Sequence, residues 1–171
     1  MQRLFMLLSV VATLFFVGCM GTGEQRENRR IVEEFFAGSH PIHRMMPTTA
    51  EAGGHLSGFF LFGSGYISGS DNGNEPTVTF AWRQREDRPL IFSTLPLKKI
   101  RVEFRDSLRT PQVEFQLVDM TEMHFITAHH YRIAVEGKST SGPEYVLDGT
   151  LAYAVITVRP EDWPAKIQMP L

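Results

Sequence analysis

The chain has 171 residues, of which 43% are hydrophobic and 21% charged, and its formal net charge is -2. These values are typical of one globular domain with its own core, and they exclude a disordered or collagen-like chain. The near-neutral charge provides no general attraction to nucleic acid or anionic membranes. The single cysteine excludes an internal disulfide and a cysteine-based zinc site.

The first predicted element is a secretory signal over residues 1–18. Arg3 gives it a positive start, and residues 4–17 are almost wholly apolar, interrupted only by Ser9 and Thr13. A membrane-spanning helix needs about 20 apolar residues, so this run has the length of a signal-peptide core instead. Gly18 is small, as a signal-peptidase site requires.

The residues Phe16-Val17-Gly18-Cys19 resemble the lipobox of bacterial lipoproteins, in which a small residue precedes a cysteine that ends the apolar run. The family usually has leucine at the position of Phe16. The resemblance implies cleavage before Cys19, a diacylglycerol thioether on its sulfur and a fatty acyl chain such as palmitate on the new amino terminus. Two or more acyl chains hold a protein stably at a membrane, whereas one does not. The alternatives are an uncleaved membrane anchor and a plain cleaved signal beside a chance cysteine.

The residue after the cysteine bears on location. In the lipoprotein family an aspartate at this position favours retention at the inner membrane, and this chain has Met20. The resemblance therefore implies the periplasmic face of the outer membrane in a cell with two membranes.

Residues 19–54 are predicted to contain the lipidated tether, a short amphipathic helix and a loop. Residues 20–27 are polar and include two glycines, which predicts flexibility. A tether of about ten residues would keep the domain within roughly 35 Å of the bilayer. Thr22 and Gln25 have capping-box spacing for a helix that would run to about Ala37. One face of this helix is apolar, for packing on the domain or docking a partner; it comprises Ile31, Val32, Phe35 and Phe36.

His40 and His43 follow this helix with a spacing that two metal ligands can share. Pro41 favours a loop between them, and no third ligand is nearby in sequence; His55 could join them, but no feature of the sequence indicates that it does. We therefore interpret them as loop histidines.

Residues 55–160 are predicted to form an antiparallel β-domain, followed by a tail over residues 161–171. Apolar and polar residues alternate in 77–84, 99–104 and 112–117, which indicates strands with one buried face. Residues 124–136 and 145–158 are predicted as longer strands, the second of them central, and 90–95 as a shorter one. The sequence Asp71-Asn72-Gly73-Asn74 is a strong hairpin signal. We therefore expect a mainly β fold, a sandwich or barrel of about seven strands with one short N-terminal helix.

Four glycines interrupt the apolar segment 58–69. Glycine weakens a strand, so this pattern indicates sharp curvature of the sheet. The alternative is a surface that a partner strand or the membrane approaches at Phe59, Phe60 and Phe62.

The segments GSGYISG, EPTVTFAW and STLPLKKIRV faintly resemble small, uncharacterised membrane-anchored proteins of bacterial and phage genomes. The resemblance extends over about residues 58–118. It implies no activity.

His129 is the ionisable group on the apolar face of the predicted strand 124–136, and Asp148 would lie near it if the two long strands paired. These two residues are the candidates for a catalytic base and its orienting carboxylate. A structural histidine is the simpler interpretation. His130 would point to the opposite face of such a strand, so the two histidines are not expected to share a metal ion.

Two further clusters have alternative interpretations. Residues Asp119, Glu122 and His124 lie at a predicted turn, where they would bind calcium or zinc or simply be solvated. The basic residues of segment 98–105 alternate with acidic ones and lack stacking aromatics, which predicts a solvated face and no nucleic-acid binding.

We therefore expect a lipoprotein of the bacterial envelope, held at the membrane through a lipid on Cys19, with no cofactor or metal. Its β-domain would bind an envelope protein or a small apolar ligand without catalysis. The alternatives are an envelope enzyme using His129 and Asp148, and a phage-encoded exclusion lipoprotein.

Overall fold

The computed structural model describes residues 23–45, 55–65 and 75–163. The signal sequence, Cys19, the hairpin signal at 71–74 and the end of the tail lie outside these ranges. Among the described residues, no helix combines the length and hydrophobicity needed to cross a bilayer.

The helix α1 is described over residues 23–36. Arg30 pairs with Glu27 at 2.7 Å and with Glu34 at 2.5 Å, spacings that stabilise a helix surface. Gly38, with φ of +86°, lies just beyond the end of the helix. The predicted helix ending near residue 37 is confirmed. Residues 23–27, for which the glycines predicted a flexible tether and the capping-box spacing a helix, are helical.

Eight strands form one curled sheet within the described ranges, in the order β2-β3-β4-β1-β7-β8-β6, with β5 beside β4. Among the pairings of these described strands, only that of β6 with β8 is parallel. The prediction of a mainly β fold with an N-terminal helix is confirmed, and the sheet curls as a half-barrel. The strands are β1 (Ser39–His43), β2 (His55–Ser57), β3 (Phe60–Gly65), β4 (Glu75–Trp82), β5 (Ile91–Pro96), β6 (Ile100–Phe104), β7 (Gln112–Leu117) and β8 (Leu151–Val158).

Strand β1 joins the two halves of the sheet. Its first three residues pair with β7 and its last two pair with β4. The Ile42 amide donates a hydrogen bond to the Pro111 carbonyl oxygen at 2.8 Å. The predicted loop at Pro41 is therefore a strand, and its two histidines are placed by the sheet.

The glycine-rich segment contributes to the core through its aromatic residues. Phe60 and Phe62 are 0% and 2% exposed, and the ring centroid of each lies 5.2 Å from that of Trp163. Gly58 adopts φ of +51° in the turn between β2 and β3, a conformation that favours glycine. Since Phe59 is also buried, these rings do not form the exposed contact surface that we considered as an alternative.

The predicted strand at 124–136 is wrong, because this segment forms the helix α2 (Phe125–Val135). The His124 side chain caps α2 by accepting a hydrogen bond from the Ile126 amide, and Gly137 follows it with φ of +69°. The residues that α2 buries have helical spacing: Ala128, Tyr131, Ala134 and Val135. Residues 124–136 also show the alternation of apolar and polar residues from which we predicted a strand.

The predicted strand at 145–158 is correct only in its second half. Pro143 begins the helix α3 (Pro143–Thr150), and Glu144 lies in its first turn. A proline at the first helical position and an early acidic residue both favour helix formation there. Strand β8 then follows between β6 and β7, so the prediction of a central strand holds for Leu151–Val158.

His40 is buried beneath α1, with 4% of its surface exposed. Its Nε2 lies 3.3 Å from the carbonyl oxygen of Phe36, and its ring centroid lies 4.8 Å from that of Trp82. Loss of hydration lowers the pKa of His40. Hydrogen bonding to the backbone of Phe36 and Gln84, and the charge of Glu114, oppose that shift only in part.

We expect the protein to lose stability as the pH falls below about 6.5, the pKa of histidine in an unfolded chain. The pKa of His40 is lowered by folding, so below this pH the unfolded chain binds more protons than the folded chain. The free energy of unfolding should therefore rise as the pH rises toward about 6.5. Above that pH, protonation of His40 should no longer affect it. His43, whose pKa is also lowered by burial, contributes in the same direction.

Urea denaturation at about pH 7.5 and about pH 5.5 measures this dependence. The midpoint should fall at the lower pH in the wild type and fall less in His40→Gln. His130→Gln, at an exposed site on α2, is the matched control and should behave as wild type. An equal pH dependence in His40→Gln and wild type would contradict the assignment.

Candidate functional site

The two residues that we considered for catalysis lie on different helices. His129 lies on α2, where its ring stacks near Phe125 at a centroid distance of 6.3 Å, and its Nδ1 is buried without a partner among the described residues. Asp148 lies on α3, where desolvation raises its pKa and Lys99 opposes the shift. No hydrogen bond in the described ranges joins His129 to Asp148. The strand pairing that would have aligned them does not exist.

The helical structure also changes the relation between His129 and His130. Both residues lie on α2, so the argument that neighbours in a strand point to opposite faces does not apply to them. Their ring centroids lie 6.4 Å apart. Within the described residues, however, no three side chains of the metal-binding types come together.

The residues near 119–124 perform local structural roles. Asp119 Oδ1 accepts a hydrogen bond from the Thr121 amide at 2.8 Å, and this bond lowers the pKa of Asp119. His124 caps α2. These contacts favour the interpretation of a solvated turn over that of a calcium or zinc site.

The basic residues near β6 are engaged in contacts with the protein itself. Lys98 pairs with Glu75 at 2.5 Å, and Lys99 donates a hydrogen bond to the Leu151 carbonyl oxygen at 2.8 Å. Arg101 stacks over the ring of Tyr153 at 3.7 Å. Such contacts are typical of a solvated protein face.

The candidate binding site is a cleft of about 500 Å³ between α1, the connection from β4 to β5, and the C-terminal end of α2. The two helices are joined one turn earlier, where Arg132 donates a hydrogen bond to Asn28 Oδ1 at 3.1 Å. Asn28 is fully buried. The cleft opens beyond this contact, and its apolar lining consists of Ile31, Phe35, Pro89, Ile91, Ala134, Val135 and Pro143.

The floor of the cleft is continuous with the core. Phe35 is half-buried, and its ring makes edge contacts with Phe36 at 4.9 Å and with Trp82 at 6.2 Å. Ile31 and Ile91 are also only partly buried. Apolar surface of α1 and β5 therefore remains open to solvent inside a concave site.

The rim of the cleft is charged. Its polar residues are Glu34, Gln84, Arg85, Arg88, Glu136 and Lys138. Both acids are paired: Glu34 with Arg30, and Glu136 with Lys138 at 2.7 Å and with Arg132 at 3.1 Å. Hydrogen bonds from Lys138 and then Arg132 hold the pKa of Glu136 below its usual value.

The two arginines belong to one turn. The Arg88 amide donates to the Arg85 carbonyl oxygen at 3.1 Å, and Arg83 donates to the Glu86 carbonyl oxygen at 2.9 Å. Arg85 and Arg88 are exposed, and their side chains have no carboxylate partner among the described residues. The rim therefore carries two positive charges available to a ligand.

Sequence reasoning did not find this cleft. It identified Ile31 and Phe35 as part of an apolar helix face but assigned no role to Arg85 and Arg88. Their segment, QREDRP, also contains Glu86 and Asp87 and has the pattern of a solvated turn.

A comparison with protein-family models, with curated proteins and with solved structures finds no match to this chain.

Proposed function

We propose that this protein is a non-enzymatic binding module, anchored to a bacterial envelope membrane by a lipid on Cys19, and that the cleft is its ligand-binding site. The observation that carries this proposal is the combination of an apolar floor with two arginines on the rim that pair with no carboxylate of the described residues. Sites for small ligands are typically concave, about 300–1,000 Å³ in volume and mostly apolar, with a few polar groups that orient the ligand.

The lipobox-like residues support the anchor, and the short sequence separation between Cys19 and α1 supports a position of the cleft close to the membrane. Four residue steps separate Cys19 from Gly23, the first described residue of α1, and span at most about 15 Å. The 12 steps from Gly23 to Phe35 add about 18 Å of helix. The cleft would therefore lie within roughly 33 Å of the acylated residue. Met20 supports the outer membrane, facing the periplasm.

The positions of His129 and Asp148 favour binding over catalysis. A base needs an orienting partner and a cleft that admits substrate. Neither residue lines the cleft. Among the described residues, His129 packs near Phe125, whereas Asp148 interacts with Lys99.

Labelling with palmitate in a host with two membranes tests the anchor. Wild-type protein should incorporate the label and fractionate with the outer membrane, whereas Cys19→Ser should incorporate none because it lacks the thiol to which the lipid is attached. Thr13→Ser, a conservative change in the same apolar run, is the matched control and should be labelled as wild type. An unlabelled wild-type protein would refute the anchor.

A pull-down from detergent-solubilised membranes tests the binding role. Partners or ligands retained by the wild type and lost by Cys19→Ser would support binding at the membrane. Equal recovery from both would show that binding does not depend on the anchor.

A further inference from the structure

We infer that the cleft binds a free, single-chain anionic amphiphile, a fatty acid carboxylate, with its apolar chain between α1 and α2 and its head group at Arg85 and Arg88. The inference rests on the proposed function for the presence of a binding site in the cleft. It adds the chemical class of the ligand.

The apolar lining defines the first requirement on the ligand. Ile31, Phe35 and Ile91 are each partly buried against the core and present their remaining surface to the cleft. Covering this surface with an apolar chain removes it from water, which stabilises the complex by about 25 cal/mol per Å². A ligand without an apolar body would leave that stabilisation unused.

The charges of the rim define the second requirement. The two acids on the rim are already neutralised by Arg30, Arg132 and Lys138. Glu86 and Asp87, in the same turn as the arginines, do not line the cleft. The unpaired charge that faces a ligand is therefore positive, and it comes from Arg85 and Arg88.

Guanidinium groups match the planar geometry of a carboxylate and donate two parallel hydrogen bonds to it. Because both arginines are exposed, salt screens the attraction. The cleft volume of about 500 Å³ lies in the range of sites for drug-sized ligands, and it suits a lipid with a single acyl chain. These features favour a free fatty acid over a two-chain membrane lipid.

Photolabelling with a diazirine derivative of dodecanoate tests the inference on the full-length protein in nanodiscs of zwitterionic lipid. The labelled peptides should contain residues 31–35, 91 or 134–135. Unlabelled dodecanoate should compete, and dodecanol, which has the same chain without the charge, should compete at least about tenfold less well, a difference of about 1.4 kcal/mol.

The double variant Arg85→Gln/Arg88→Gln should lose about tenfold in labelling of these peptides. Arg105→Gln/Arg109→Gln changes the net charge equally at two exposed residues outside the cleft and should label as wild type. Higher salt should weaken labelling of the wild type more than that of the cleft variant.

The outcomes separate the inference from the proposed function. Equal competition by dodecanol, or unchanged labelling of Arg85→Gln/Arg88→Gln, would overturn the anionic head group while leaving a cleft that binds apolar ligands. Protection of the cleft by anionic two-chain lipid in the nanodisc would overturn the assignment of a free fatty acid. Absence of label from the cleft peptides with every probe would overturn the inference together with the proposed binding site.

Discussion

Replacing Trp82 with alanine is expected to lower the free energy of unfolding by about 3–5 kcal/mol. Trp82 is fully buried, and its ring centroid lies 4.8 Å from those of Phe115 and His40. Its Nε1–H donates a hydrogen bond to Ser93 Oγ at 2.9 Å. Truncation would leave a large cavity and an unpaired buried hydroxyl, and both are destabilising.

Urea denaturation followed by far-ultraviolet circular dichroism measures this effect. Phe92→Ala is the matched control, because Phe92 precedes Ser93 on β5 but is 56% exposed. Its cost should remain below about 1 kcal/mol. Equal destabilisation by the two variants would contradict the placement of Trp82 at the centre of the core.

Replacing Gly149 with alanine is expected to destabilise the protein by about 1–3 kcal/mol, as overpacking does. Alanine is ordinarily favoured over glycine within a helix by about 1 kcal/mol. At this position in α3, however, the added Cβ would lie 2.0 Å from Tyr131 Oη and 3.0 Å from its Cζ. Tyr131 is 7% exposed, so its ring has little room to move away.

A double-mutant cycle isolates the steric origin of this effect. Tyr131→Phe removes the nearest atom, so Gly149→Ala should cost less in that background than in the wild type. Gly23→Ala, at a helical glycine with no atom of the described residues within 4 Å of the added Cβ, is the control and should be neutral or slightly stabilising. If Gly149→Ala behaves as Gly23→Ala does, the described packing of α2 on α3 is wrong.

The elements that sequence patterns predicted correctly are those in which only one period is present. The alternation in 77–84, 99–104 and 112–117 has no competing helical spacing. The first segment overlaps β4, and the other two contain β6 and β7. In 124–136 both periods occur, and the choice between them depends on the caps at His124 and Gly137. The parallel pairing of β6 with β8 depends on the connection through two helices that we predicted as strands.

The cleft was beyond prediction for a different reason. Its lining comes from three segments, near residues 31–35, 84–91 and 134–143, which only the fold brings together. Within the apolar face of α1, Val32 and Phe36 are buried, whereas Ile31 and Phe35 are partly open to the cleft. Helical periodicity identifies such a face but does not show which part of it a neighbouring element covers.

The proposal depends most on the acylation of Cys19, because a lipid on this residue would place the cleft beside a membrane. Intact-mass spectrometry of the protein purified from membranes measures that modification directly. We expect a mature chain beginning at Cys19, with added mass equal to a diacylglycerol group and one amide-linked acyl chain. A mature chain with a free Cys19 thiol, or a chain that retains residues 1–18, would contradict it.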